Sequence, residues 1–158
     1  MASPSAADFL KIDNFICFAL YSAGHAMTRL YKPLLDPLGL TYPQFLVMVA
    51  LWEKDDQTVG DIGDKLLLES STLTPLLKRL EAAQLIRRTR DRDDERVVRI
   101  QLTSEGRVLK EKAESIPEAI GCATGLTVPD IVKLTTEVKA LRDKLVDAQA
   151  NAPSSKTA

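Results

Sequence analysis

Residues 71–106 read STLTPLLKRLEAAQLIRRTRDRDDERVVRIQLTSEG, and the architecture of the chain follows from them. The opening segment carries Leu73, Leu76, Leu77 and Leu80. This i, i+3, i+4, i+7 stripe marks a helix with one apolar face, which must pack on a neighbour. Two strand-like segments follow, LIRRTR (85–90) and VVRIQL (97–102). In the second, Val98, Ile100 and Leu102 alternate with Val97, Arg99 and Gln101, as on a half-buried strand. The tip DRDDER (91–96) contains no glycine, so a longer hairpin loop is expected there rather than a tight primed turn. Just upstream, Thr58 can cap a short helix with Val59, Ile62 and Leu66 on its inner face.

Two helices followed by a β-hairpin is the order of a winged helix-turn-helix, a mainly α fold with a small β-wing. At about 100° per residue the leucine stripe faces inward, and Ser71, Pro75, Lys78 and Ala82 point outward. Ser70, Thr72, Thr74 and Arg79 lie beside them. Small hydroxyl side chains at a helix start allow close approach to base edges and phosphates, and Pro75 offers an apolar contact for a thymine methyl. The missing N–H of Pro75 costs little only if the helix begins near Ser71 or Thr72. In the wing, Arg92 and Arg96 stand beside Asp93, Asp94 and Glu95. A tip arginine such as Arg96 can enter a minor groove, with a carboxylate such as Asp94 holding it extended. The net charge of the chain is −1, yet residues 78–99 hold eight Lys or Arg against five Asp or Glu. A local patch of this kind fits a sequence reader better than a bulk DNA coater. The same spacing also fits a solvated charged hairpin on an α-helical enzyme or scaffold.

The 158 residues suit one domain. A first helix is expected to start at Asp8 or Asp13 and to run past Tyr31, with Pro33 and Pro37 kinking and ending it. Pro43 suits the first turn of a second, buried helix, PQFLVMVALWEK. Thr103 can cap a fifth helix. Thr127 can cap a sixth, with Pro129 in its first turn and Asp130 at the favourable N3 position. In that helix Ile131, Leu134, Val138, Leu141 and Leu145 form a coiled-coil-like seam that needs a partner surface. The tail 150–158 is expected to be disordered. The apolar run from Phe45 to Trp52 is far too short to span a bilayer. MASPSAADFL lacks the marks of a signal peptide, so a cytoplasmic protein with no membrane partner and reduced thiols is expected. The two cysteines lack CxxC spacing, which argues against a zinc site, and the sequence calls for neither metal nor cofactor.

Cys17 lies in DNFICFALYSA. A free thiol with a pKa of about 8.5 is mostly protonated at neutral pH, whereas attack on a hydroperoxide needs the thiolate. If Asp13 caps the first helix, Cys17 falls in or just after its first turn, where the positive end of the dipole favours an anion. Phe15, Ile16 and Phe18 offer an apolar setting for an organic peroxide. Tyr21 lies at i+4 on the same face. Tyr31 lies at i+14, about 21 Å away along a continuous helix, so any thiol it contacts belongs to another subunit. Cys17 as a small buried hydrophobe among core tyrosines is the competing reading. His25 reads as a surface residue.

Residues 58–106 resemble the MarR family of dimeric winged-helix repressors, with DER at 94–96 and LTSEG at 102–106 fitting its wing-to-helix signature. The segments CFALYSAGHAMTRLYKPLL, GLTYPQFLVMVALWE, STLTPLLKRLEAA and DDERVVRIQLTSEG resemble its organic hydroperoxide resistance branch, over roughly residues 8–148. Leu68 and Ser71 depart from that branch's usual residues, which bears on operator preference. The resemblance implies a homodimer formed by N- and C-terminal helices (about 8–38 and 103–149), with a winged-helix lobe at about 43–102. It implies that the reduced protein binds a pseudo-palindromic DNA operator and releases it on oxidation by organic hydroperoxides. Cys17 would be the sensing thiol, hydrogen-bonded by Tyr31 and Tyr42 across the dimer. Cys122, in GCATGL between the fifth and sixth helices, resembles the resolving cysteine of the two-cysteine subtype; its bland alternative is an exposed bystander. A repressor released by a phenolic or lipophilic ligand is the first rival. A thiol peroxidase is the second, disfavoured because no peroxidase motif surrounds either cysteine.

Overall fold

The leucine stripe becomes the inner face of α4 (Ser70–Ala82), where Leu73, Leu76, Leu77 and Leu80 are all buried. In the computed structural model, which describes residues 11–151, this face packs on α3 (Val59–Leu66) and α2 (Tyr42–Glu53). Helix α2 supplies the centre of the core through Phe45, Val47, Met48, Ala50 and Leu51. Each large apolar side chain so buried stabilises the fold by about 1.5–3 kcal/mol.

Strands β2 (Ile86–Arg90) and β3 (Val98–Leu102) pair antiparallel, with Ile86 opposite Leu102 and Arg90 opposite Val98. A further strand, β1 (Gln57–Thr58), lies on the other side of β3. It was not expected from sequence, since two residues carry no alternation to read. The buried Gln57 side chain anchors it, donating from Nε2 to the Ala50 carbonyl at 2.8 Å.

All three threonine caps form as expected. Thr58 accepts from the Asp61 N–H and Thr103 from the Gly106 N–H, both at 3.0 Å, and Thr127 accepts from the Asp130 N–H at 3.3 Å. Thr103 starts α5 (Ser104–Ala113) against the end of the α4–β2 turn. There a Cβ on Gly106 would come 2.0 Å from the Leu85 carbonyl oxygen, so only glycine lets the two backbones pass this closely.

The first helix differs from expectation at its start. Helix α1 spans Ile16–Leu35 with Phe15 as its N-cap residue, and no side chain caps it. Asp13 sits instead in a 3₁₀ turn, Ile12–Asn14, and Asp8 lies outside the described residues. Pro33 does not end the helix. The chain continues to Leu35, which is buried, and breaks over the 3₁₀ turn Asp36–Leu38 at Pro37 and the left-handed Gly39.

The chain divides into two compact units, one through Ile116 and one from Pro117. The second holds most of α6 (Ile116–Thr124), a helix not read from the sequence, and α7 (Val128–Ala150). The expected sixth helix is therefore α7. It runs to Ala150, one residue into the stretch expected to be disordered; residues 152–158 lie outside the described part. No residue of α7 is buried. Among the described residues no single helix is long and apolar enough to cross a membrane.

Candidate nucleic-acid interface and thiol site

Helix α4 begins at Ser70, with Glu69 as an N-cap residue that makes no side-chain cap. The Thr72 and Leu73 N–H groups bond back to the Glu69 carbonyl, leaving those of Ser70 and Ser71 at the positive end of the helix without a helix partner. The side chains of Ser70, Ser71, Thr72, Pro75, Lys78 and Arg79 are exposed and Thr74 is half-buried, so the outward face lies where the periodicity puts it. The assumption about Pro75 needs correcting. With the helix starting at Ser70, Pro75 falls past the first turn, and the Ser71 carbonyl loses its usual N–H donor.

Arg96 is 91% exposed at the wing. Asp94 Oδ1 accepts from its backbone N–H at 3.0 Å and from its Nε at 3.2 Å, which limits the directions the guanidinium can take. Ser70, Thr74, Arg88 and Arg96 line one cleft of about 420 Å³ between the start of α4 and the wing. The glutamate of α4, Glu81, accepts from Arg88 Nε at 2.7 Å, tying β2 to that helix.

Sequence reasoning missed the residue that seats the wing, Arg99. Its Nε donates to Asp56 Oδ1 at 2.8 Å, one terminal nitrogen to the Asp56 carbonyl at 2.7 Å, and the other to Asp91 Oδ2 at 3.2 Å. The Arg99 hydrogen bond holds the Asp56 carboxyl below its ordinary value. Asp91 is lowered first by the Asp93 backbone N–H and then by Arg99. Beside them Asp55 accepts from the Leu102 N–H at 2.8 Å and from Arg107 at 2.7 Å. The acidic pair Asp55–Asp56 just after α2 was the only sequence signal for this network.

Cys17 is the second residue of α1 and is exposed in the single protomer. The Tyr31 and Tyr42 rings meet with centroids 4.7 Å apart. Tyr31 continues to Phe45 at 5.9 Å, and Phe45 to Trp52 at 6.1 Å. Trp52 in turn donates from Nε1 to the Gly106 carbonyl at 2.8 Å. Burial raises both phenols above their ordinary value of 10.0, and Tyr42 adds to the effect on Tyr31. Both are therefore O–H donors at neutral pH. Tyr21 is exposed, its ring edge-on to His25 at 4.4 Å. Cys122 lies within α6, between α5 and α7; it is exposed, and both thiols are free. Among the described residues no group of His, Cys, Asp or Glu is placed to hold a metal.

A family model described as transcriptional regulator SarA/Rot matches residues 29–113. A regulator named TtmR from Methylorubrum extorquens (strain PA1) is 46% identical over 145 residues, 92% of this chain and 74% of the relative. The organic hydroperoxide resistance transcriptional regulator of Bacillus subtilis (strain 168) is 45% identical over 138 residues, 87% of this chain and 94% of that protein. The chain belongs to the MarR family of transcriptional regulators. Within that family it is of the SarA/Rot type, and the Bacillus likeness supports its organic hydroperoxide resistance branch. Among solved structures, the family member AbfR, known from Staphylococcus epidermidis, gives a TM-score of 0.72 in its reduced, DNA-bound form at 32% identity, covering 90% of this chain and 99% of AbfR. Against disulfide-formed AbfR the TM-score is 0.59 at 34% identity, covering 85% and 95%. The arrangement of helices and wing is thus that of a winged-helix regulator; overoxidised AbfR bound to DNA gives the same TM-score of 0.72 as the reduced form.

Proposed function

We propose that this regulator is a homodimeric repressor that binds a pseudo-palindromic DNA operator when reduced and releases it when an organic hydroperoxide oxidises Cys17. The observation that carries this reading is the exposed Cys17 thiol in the first turn of an α1 that no side chain caps. A helix start favours an anion by about 0.3–1 kcal/mol, whereas a hydrogen bond to a charged group contributes about 1.5–3 kcal/mol. The neutral phenols of Tyr31 and Tyr42, donated from the partner protomer, therefore do more for the thiolate than the helix does. Tyr21 borders the thiol from its own helix.

In the reaction the Cys17 sulfur attacks the terminal peroxide oxygen and the O–O bond breaks. The alkoxide leaves and takes up a proton as the alcohol, so sulfur is oxidised to sulfenic acid while the peroxide is reduced. The Cys122 thiol then attacks the sulfenic sulfur, forming the S–S bond and releasing water. A cellular thiol reverses it by exchange.

Helix α1 and the helices from α5 to α7 form the dimer, and the lobe at about 43–102 presents α4 and the wing to DNA. Ser70, Ser71, Thr72, Thr74 and Pro75 approach the major groove, Lys78 and Arg79 the phosphates, and Arg96, held by Asp94, the minor groove. AbfR is described both reduced on DNA and as a disulfide, which supports a regulator of this kind switching by thiol chemistry. A second reading, release by a non-covalent phenolic or lipophilic ligand, draws on an apolar cavity of about 300 Å³ between α1 and α2. Peptide mass spectrometry after one equivalent of cumene hydroperoxide separates the two. A Cys17–Cys122 disulfide is expected, and unmodified cysteines on a protein that has left its operator would sink the thiol switch.

A further inference from the structure

The β-hairpin carries a cavity of its own, about 550 Å³ in volume, on the face turned away from the α4 cleft. Successive strand side chains point to opposite faces. Arg87 and Thr89 therefore face this cavity, while Arg88 between them lines the cleft beside Ser70 and Arg96. DNA seated in the cleft does not fill it. None of the nine residues lining the cavity is apolar. Small-molecule sites are usually walled by apolar and aromatic side chains, so peroxides, phenols, acyl chains and nucleobases find no surface here. The charges say what does fit. Arg99 is satisfied by Asp56 and Asp91, which leaves Arg87, Arg90 and Arg92 against a single carboxylate, Asp93. None of these three arginines has a carboxylate partner among the described residues. Arg87 donates to Gln101 Oε1 at 2.9 Å and Arg90 to the Glu95 carbonyl at 2.8 Å, so both guanidiniums are steadied but not neutralised. The hairpin lies outside the helices assigned to the dimer, so a second protomer does not supply the missing anion.

We propose that this outer face of the wing binds a phosphorylated polyol, and that its occupant weakens binding of the operator. Arg87 and Arg92 take the phosphate, whose oxygens match the paired N–H donors of a guanidinium. Asp93 needs a hydrogen-bond donor and repels a bare polyphosphate, which is why the ligand carries hydroxyls. The coupling follows from the place of Arg99 in the wall of the cavity. A phosphate there competes with Asp56 and Asp91 for the Arg99 guanidinium and adds negative charge beside both carboxylates. The wing then loses its anchor to the end of α2. Linkage makes the effect mutual, so the operator and the phosphate compound each weaken binding of the other. This input to the wing does not pass through Cys17. Its effect on the operator rests on the wing meeting DNA, as proposed above, whereas the binding itself does not.

Isothermal titration calorimetry of the reduced full chain with fructose bisphosphate tests the site. Fructose, inorganic phosphate and sulfate at matched ionic strength are the controls. The bisphosphate should bind, fructose and sulfate should not, and inorganic phosphate should bind about fivefold more weakly for want of the polyol hydroxyls. Operator affinity, read by fluorescence anisotropy, should fall about fivefold at saturating bisphosphate relative to sulfate, the low end of allosteric coupling. The double variant Arg87→Gln with Arg92→Gln, changed only at exposed side chains, should lose both effects. Each protein is scored by its own affinity ratio with and without ligand, so a change in the variant's own operator affinity cancels. Absence of binding to the wild type, or binding that survives the double variant, overturns the site. Inorganic phosphate binding as tightly as the bisphosphate overturns the polyol, and binding with no change in operator affinity overturns the coupling through Arg99. If the protein does not bind its operator at all, the failure lies with the DNA reading, and the calorimetry still decides the site.

Discussion

At the scale of single residues the wing shows how charge is divided between holding the fold and meeting DNA. Arg99 is tied to Asp56 and Asp91, whereas Arg96 projects into solvent with Asp94 bracing it. Lys78→Ala, which removes a proposed phosphate contact, should weaken binding to all sequences alike and lower the slope of log affinity against log salt by about one. Arg96→Ala should lower operator affinity at every salt concentration. Unchanged affinity across a salt series would refute the wing assignment. A pH effect belongs here too. Asp56 and Asp91 are both held below the ordinary value of 3.8, so their contribution is complete above that value. It is lost as pH falls through the depressed native values. Protection of the wing amides, the exchange rate relative to the intrinsic rate at each pH, should therefore be level near neutrality and fall only in strong acid. Asp56→Asn should lower the protection already at neutral pH, and an unaltered profile would show that Arg99 does not seat the wing.

At the scale of elements, the apolar patterns were legible and the polar connections were not. The stripe of Leu73, Leu76, Leu77 and Leu80 and the alternation of Val98, Ile100 and Leu102 repeat within one element, so sequence spacing exposes them. The threonine caps were legible for the same reason, their partners lying three residues on. Strand β1 and the bond from Arg99 to Asp56 depend on residues 43 positions apart that only folding brings together. Helix α6 was missed because IPEAIGCAT is a short segment without a cap signal. The start of α1 was misplaced because Phe15, not an Asp or Ser, occupies its N-cap. The join between α5 and the α4–β2 turn gives a test. Gly106→Ala would put a methyl group against the Leu85 carbonyl and force the backbones apart. A loss of about 1–3 kcal/mol in urea unfolding is expected, the usual range for overpacking. A neutral substitution would mean that the approach is looser than described.

On the scale of the whole molecule, α7 is the element least explained by a single chain. Leu134, Val138 and Leu145 are 50%, 42% and 57% exposed, although their spacing makes one apolar seam. At the other end Phe15, Ile16 and Phe18 are exposed in the same way. Such surface is costly in water unless a second copy covers it. Leu134→Asp combined with Leu141→Asp should abolish the dimer or the fold, as read by analytical ultracentrifugation. A compact monomer that still binds operator tightly would remove the role assigned to the terminal helices. In the proposed switch the dimer also supplies the thiol chemistry, because Tyr31 lies fourteen residues along α1 from Cys17 and does not reach the thiol of its own helix. From Tyr31 the ring contacts run through Phe45 to Trp52, whose indole N–H meets the Gly106 carbonyl at the start of α5.

The central claim, that oxidation of Cys17 releases the operator, is tested most directly by fluorescence anisotropy of labelled operator DNA during titration with an organic hydroperoxide. Wild-type protein should lose the DNA as peroxide approaches one equivalent per protomer and regain it on adding a reducing thiol. The Cys17→Ser variant should bind with similar affinity and stay bound throughout. Release of the operator by Cys17→Ser at the same peroxide concentrations as wild type would contradict the account.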